Sequence, residues 1–230
     1  MISRFDVVLF DAGGTLLHPF PSVGQIYSEV AARYDCFAEA PYLEQLFREV
    51  WLERDGLVGL ESHSDEKVEK EWWRGLVQKV FSDLGGIENF EVFFEELYEL
   101  FGHPDVWKLY PEVPEVLAEL RARGKRLGIV SNWDSRLFKL CEGFELGKYF
   151  DFVIASAAFG ASKPSPRIFE EALRRAGVEA GRAVHVGDSF EDDVRGARGA
   201  GIEGILINRH PETRHFENIT VITSLRELLA

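Results

Sequence analysis

Val7-Val8-Leu9-Phe10-Asp11-Ala12-Gly13-Gly14-Thr15-Leu16 decides how the rest of the chain is read. Four consecutive apolar residues, followed within three positions by a glycine pair, predict a short strand buried on both faces. Asp11 falls where that strand ends, so its carboxylate is held on a stiff element and aimed beyond the sheet edge. Ala12, Gly13 and Gly14 are small. A ligand can approach their backbone, and their N–H groups, with that of Thr15 next in line, can form an anion nest. A carboxylate beside an anion cradle is a poor arrangement for stability alone. It suits a nucleophile facing a phosphate when a cation mediates. Alone, the stretch reads equally as a strand, an acidic turn residue and a Gly-rich loop, because short Gly motifs recur by chance.

The chain has 230 residues, enough for a full core in one domain or one domain plus an insertion. A hydrophobic content of 46% excludes a disordered chain. No run of about 18 apolar residues occurs, so no membrane span is expected. Met1 to Asp6 carries no signal-peptide pattern. Cys36 and Cys141 make neither a disulfide framework nor a zinc spacing, and the cytosol is the expected compartment. The net charge is −13, and residues 20–105 hold 19 acids against 7 bases. The excess therefore lies in one early segment, which argues against a nucleic-acid partner. Asn (4), Gln (3), Cys (2) and Met (1) are scarce, as in heat-adapted proteins. The expected unfolding midpoint by calorimetry lies above the ordinary range of about 45–65 °C.

From about residue 23 to 103 the texture is helical. Tyr27, Val30, Ala31 and Tyr34 recur at spacings of three and four, as do Leu43, Leu46, Phe47 and Val50-Trp51. Trp72, Trp73, Leu76, Val77 and Val80 follow, then Phe93, Phe94, Leu97 and Leu100. Gly56, Gly59, Gly85-Gly86 and Gly102 punctuate the block. This predicts about four amphipathic helices, with the aromatic stripe as their core. The chain is expected to divide into a core of residues 1–18 and 106–230 and an inserted all-α cap of residues 19–105.

From Val106 onward helices alternate with strands, predicted at 127–130, 150–155, 183–186, 204–207 and 219–222. Helices are expected from Pro114 to Arg123, from Asp134 to Leu140, after a Ser165 cap with Pro166 at the first position, and from Asp193 to about Ala200. Ser224 and Glu227 form a capping box for the last helix. Alternation of this kind means right-handed crossovers, a parallel sheet and an α/β, Rossmann-like fold. Asp11, Ser131 and Asp188 each follow a strand, so they gather at the edge where such sheets bind ligands. Lys163 reaches the same crevice by a longer loop.

Alone, each residue has an ordinary explanation. Ser131 fits a turn, Lys163 a surface, Asp192 and Asp193 the start of a helix, and His185 a satisfied position inside a strand. Together they make a chemical set. Asp11 and Asp188 side by side repel unless a hard cation joins them, and Mg²⁺ favours one or two carboxylates, waters and a phosphate oxygen. Ser131 offers a hydroxyl, Asn132 an amide and Lys163 a fixed positive charge for a phosphoryl group. Asp11 then serves as nucleophile through an aspartyl phosphate, with Asp193 steadying a metal-bound water.

The ordered set Phe10-Asp11-Ala12-Gly13-Gly14-Thr15-Leu16, Val130-Ser131-Asn132, Lys163-Pro164 and Gly187-Asp188-Ser189 with Asp193 resembles the haloacid dehalogenase-like hydrolase superfamily. The helical insertion is similar to that superfamily's helical cap. The resemblance implies Asp11 as nucleophile and Mg²⁺ held by Asp11, the Gly13 carbonyl and Asp188, with Asp193 in support. It implies phosphate binding by Ser131, Asn132 and Lys163, and a cis bond between Lys163 and Pro164. It also exposes a departure. Phosphatases of this kind usually carry a second aspartate two residues after the nucleophile, as general acid and base. Here that residue is Gly13, and losing such a group costs about 10²–10⁴ in rate.

The expected activity is Mg²⁺-dependent hydrolysis of a small phosphomonoester, with an acidic cap that disfavours polyanions. Metal-independent 2-haloacid dehalogenation is the alternative, although those relatives lack an aspartate corresponding to Asp188. Phosphonatase-type chemistry needs a cap lysine, for which Lys67, Lys70 and Lys79 qualify by residue type. A retired, non-catalytic scaffold binding a phosphate ligand or a protein is the third. The expected partner is a small phosphorylated metabolite, with neither nucleic acid nor membrane. A monomer and a homodimer both fit.

Overall fold

The structure, a computed structural model, describes residues 2–54, 64–209 and 218–230. Gly56, Gly59 and His63 lie outside the described residues. Strand β1 (Val7–Phe10) sits in the middle of a six-stranded parallel sheet. On one side of it lie β4 (Arg126–Ser131) and β5 (Phe152–Ala155). On the other lie β6 (Ala183–Gly187), β7 (Glu203–Ile207) and β8 (Thr220–Ile222). The chain thus goes out from β1 in both directions, and the point where strand order reverses lies at its carboxyl end.

The uninterrupted apolar run of β1 is explained by the sheet's two covered faces. Val8 and Phe10 pack with Val116, Leu117 and Leu120 of helix α5 (Val113–Ala122) and Leu137 of α6 (Arg136–Gly143). Val7 and Leu9 pack on the opposite face with Ile168, Phe169 and Ala172 of α8 (Pro166–Ala176) and Ala197 of α9 (Gly196–Gly199). All four strand residues are fully buried, and burying each such side chain contributes about 1.5–3 kcal/mol. A one-turn helix, α7 (Ser156–Phe159), follows β5 directly.

The helical block comprises α1 (Val23–Ala31), α2 (Ala40–Glu53), α3 (Glu66–Ser82) and α4 (Phe90–Leu100). Its aromatic stripe is its core: Tyr27 stacks on Phe81 at 5.8 Å, and Phe81 meets Phe93 edge-on at 5.0 Å. Ser22 caps α1 by accepting from the Gln25 N–H, and Asp65 caps α3 by accepting from the Val68 N–H. Lys70 of α3 is tied to Glu95 and lies over the Tyr98 ring, so this lysine is already engaged on the helical surface. Both cysteines are free thiols.

Several local readings differ from expectation. The chain into and out of the helical block forms an antiparallel ribbon, β2 (Leu17–Pro19) with β3 (Trp107–Leu109). Each strand is three residues long and one contains Pro, so neither carries a period that reads as a strand. The helix expected from Asp134 begins at Arg136, because the Asp134 carboxylate turns back to the Arg136 guanidinium and the Tyr98 hydroxyl. The helix expected from Asp193 begins earlier, as a wider turn over Phe190–Arg195 that leads into α9. Ser165 precedes α8 with Pro166 at its first turn, but its side chain makes no capping bond. The Ser224–Glu227 capping box is present and closes a 3₁₀ turn over Leu225–Leu229. Among the described residues no helix is long and apolar enough to cross a membrane.

Candidate active site

The carboxyl ends of β1, β4 and β6 bring Asp11, Ser131 and Asp188 together, as sequence order and a parallel sheet require. Asp11 Oδ1 accepts from the Ser131 hydroxyl at 2.8 Å and from Lys163 Nζ at 2.7 Å. Among the described hydrogen bonds Asp11 Oδ2 has none. Lys163, only 2% exposed, spans from Asp11 to Asp193 Oδ1 at 2.6 Å. Asp193 also accepts from His185 Nε2 at 2.8 Å and, on Oδ2, from the Ser189 N–H at 2.9 Å. Ser131, Asp11, Lys163, Asp193 and His185 therefore form one buried chain of hydrogen bonds.

Ligand oxygens of Asp11, Asp188 and Asp193 all lie within 4.8 Å of one another. Three carboxylates against one ammonium leave an uncompensated negative charge, which fits a divalent cation. Asp188 opens to solvent while protein surrounds it on its other sides. That desolvation, together with the charges of Asp11 and Asp193, pushes its pKa well above the ordinary value. Burial likewise raises Asp11, with Lys163 offsetting part of the effect. Burial also acts to raise Asp193, but Lys163 and His185 outweigh it and hold that group well below the usual carboxylate range. Asp192, next to this network, is raised to about 7 by burial.

Other expected ligand groups are placed differently. The Asn132 side chain is committed to the Lys163 backbone: Nδ2 donates to the Lys163 carbonyl at 2.9 Å and Oδ1 accepts from its N–H at 2.7 Å. Asn132 thus holds the lysine loop, which contains the cis Lys163–Pro164 bond, with its carbonyl and one of its two amide N–H groups. The Gly14 N–H donates to the Leu17 carbonyl at 2.9 Å, and Ala12 and Thr15 have no exposed surface. The nest expected of residues 12–15 accordingly narrows to Gly13. Gly14 has its own steric reason. Its φ is 71°, and a Cβ there would stand 2.2 Å from Asp188 Oδ2, so only glycine lets the two meet.

Sequence reading passed over Trp133. Its ring lies over Gly13, where a Cβ would stand 3.3 Å from Trp133 Cζ3. Trp107 packs against it at 5.0 Å, and the backbone N–H of Trp133 donates to Ser156 Oγ at 2.9 Å. His185 also does more than fill the core, since it bonds to Asp193 while lying edge-on to Phe169. Nothing local in the sequence marks either contact, because the partners lie on other elements and loops.

Ser156 connects this region to the helical block through Glu69 of α3, whose Oε1 accepts from both Ser64 and Ser156. Glu69 Oε2 is buried with no hydrogen-bond partner among the described residues. Burial raises Glu69 to about 7. The folded protein therefore binds this proton more tightly than the unfolded chain, whose glutamate titrates near its ordinary value of 4.5. Stability should fall as pH rises from about 4.5 to 7, by about 3 kcal/mol. Denaturant titration of the wild type and Glu69→Gln at pH 5 and pH 8 tests this. The variant keeps an acceptor for both serines and should lose most of that pH dependence; an equal dependence in both proteins contradicts it.

A family model for haloacid dehalogenase-like hydrolase matches residues 5–201. The human haloacid dehalogenase-like hydrolase domain-containing protein 3 is 34% identical over 204 residues, covering 87% of this chain and 81% of that protein. Phosphoserine phosphatase of Thermus thermophilus is 31% identical, covering 96% of this chain and 97% of that one. A crystal structure of a phosphatase from Thermococcus onnurineus superimposes with a TM-score of 0.67 at 29% identity, over 97% of this chain and 96% of that chain. The family model spans most of the chain and these relatives match it over most of their own lengths, and the chain belongs to the haloacid dehalogenase-like hydrolase family.

Proposed function

We propose that this hydrolase is a Mg²⁺-dependent phosphatase acting on a small phosphomonoester. The observation that carries the reading is Asp188, an accessible carboxylate set beside Asp11 and Asp193. Such a cluster is costly without a cation and useful with one. Asp11, the Gly13 carbonyl and Asp188 would hold the ion, with Asp193 in support, and it would neutralise charge on the phosphoryl oxygens.

The protein's own groups account for the remaining chemistry. Ser131 and Lys163 fix Asp11 through Oδ1, leaving Oδ2 to attack phosphorus. The new O–P bond forms as the ester O–P bond breaks, and the leaving oxygen departs with its electron pair. Water then cleaves the aspartyl phosphate, giving inorganic phosphate and the free carboxylate. Lys163, bridging Asp11 and Asp193, keeps a positive charge at the reacting centre throughout. The negative charge of residues 20–105 favours small substrates over polyphosphates and nucleic acids.

Hydrolysis of an aryl phosphate with Mg²⁺ and with chelator tests the reading. Turnover with Mg²⁺ that chelator abolishes is the expected result. One observation favours a second reading, displacement at carbon without a metal: Gly13 bears no acid, and Trp133 covers it. Chloride release from a 2-chloro acid in chelator, with no release of phosphate in Mg²⁺, would replace the first reading by the second.

A further inference from the structure

Arg209 lies two residues beyond β7, on the same side of the sheet as Asp11. All three of its nitrogens are engaged. Nε donates to the Gly14 carbonyl at 3.1 Å, Nη2 to the Thr15 carbonyl at 2.5 Å, and Nη1 to Glu112 Oε1 at 2.8 Å. Its guanidinium carbon stands 3.4 Å from the centroid of the Tyr110 ring. The pair with Glu112 is nearly buried, at 10% and 7% side-chain exposure. Its charge is thus met locally, and the guanidinium faces two peptide carbonyls rather than a substrate.

Those carbonyls belong to the loop that follows the nucleophile. Gly13 and Gly14 give that loop a soft backbone, yet the Asp188 carboxylate rests against Gly14. A turn of the Gly14 peptide would move that wall and shift Asp11 three residues earlier. The N–H side of the loop is held by bonds from Gly14 and Leu17 within it, and Tyr110 N–H holds the Leu16 carbonyl. Among the described residues Arg209 is the side chain that holds the Gly14 and Thr15 carbonyls. A planar fork carries its donors on three separate nitrogens and so reaches acceptors spaced as these are, which the single nitrogen of an ammonium does not.

We propose that Arg209 is a positioning residue, whose guanidinium locks the Gly14 and Thr15 carbonyls and so sets the Asp11–Asp188 geometry that a divalent cation requires. This rests on the metal-dependent reading above. Mg²⁺-type sites tolerate little distortion, and groups that orient a ligand set typically change metal affinity or activity by about 10–100-fold.

The test measures Mn²⁺ affinity by electron paramagnetic resonance, kcat and KM on an aryl phosphate, and the melting temperature, for the wild type, Arg209→Lys and Arg209→Met. Arg209→Lys keeps a cation for Glu112 and should fold even where Arg209→Met does not. Arg209→Lys should bind Mn²⁺ about 10–100-fold more weakly, with kcat reduced and KM little changed. A lower melting temperature with wild-type Mn²⁺ affinity and kcat would show a merely structural arginine and overturn the proposal. A wild type that binds Mn²⁺ but turns over no phosphate ester would defeat the phosphatase reading, while the Mn²⁺ comparison still decides on Arg209. A wild type that binds no Mn²⁺ overturns both.

Discussion

Asp11→Asn should lose at least about 10⁴ in turnover, as removal of a nucleophile does elsewhere, and should not lose stability. Asparagine keeps the size of the side chain and an oxygen able to accept from Ser131 and Lys163, which both meet Asp11 Oδ1. It removes one of three clustered carboxylates. Lys163 retains Asp193 at 2.6 Å, so the ammonium is not left unpaired. Relief of like-charge repulsion then outweighs the weakened ion pair. The measurement is a pair of denaturation curves in chelator at pH 7, beside turnover in Mg²⁺. Equal or higher stability with no turnover is expected. A variant that retains turnover would remove Asp11 from the proposed reaction, and a marked loss of stability would mean that the Asp11–Lys163 pair outweighs the repulsion.

Restoring a carboxylate at position 13 should not by itself increase the rate. A Cβ on Gly13 already stands 3.3 Å from Trp133 Cζ3, so an aspartate there must push the indole aside. Trp133 cannot yield freely, since the Trp107 ring packs against it at 5.0 Å. Gly13→Asp alone is therefore expected to be no faster than the wild type. Trp133→Ala opens the space at some cost in packing. Gly13→Asp with Trp133→Ala should exceed Trp133→Ala alone by about 10²–10⁴. The gain should appear on an alkyl phosphate, whose leaving group needs a proton, and much less on an aryl phosphate. A gain from Gly13→Asp alone would show that Trp133 is no obstacle. No gain from the pair would show that leaving-group protonation is not what limits this site.

What the sequence revealed followed from period and order. The strands at Leu127 and Ala183 were legible because each is a compact, mostly apolar run that leads into a polar residue, Ser131 or Asp188. Parallel pairing then placed Asp11, Ser131 and Asp188 together without any knowledge of contacts. The aromatic stripe of the helical block was legible as core for the same reason. Contacts that join distant segments left no local trace. Asn132 looked like a free amide because the Lys163 backbone that occupies it lies 31 positions away. Trp133 carries no pattern that singles it out, and Arg209 is one basic residue among 26. The ribbon of Leu17–Pro19 with Trp107–Leu109 was too short to show a period, and its two halves are separated by the whole helical block.

That ribbon also bears on how such proteins diversify. The chain leaves and re-enters the sheet-bearing part side by side, with Leu17 opposite Leu109 and Pro19 opposite Trp107. Whatever is spliced between these two points faces the same short gap to close, and the entropy of closing a loop grows only slowly with its length. An ancestral chain could therefore exchange one inserted cassette for another, long or short, without disturbing the strand ends that hold Asp11, Ser131 and Asp188. Specificity and chemistry become separable units of inheritance, joined at a seam three residue pairs wide.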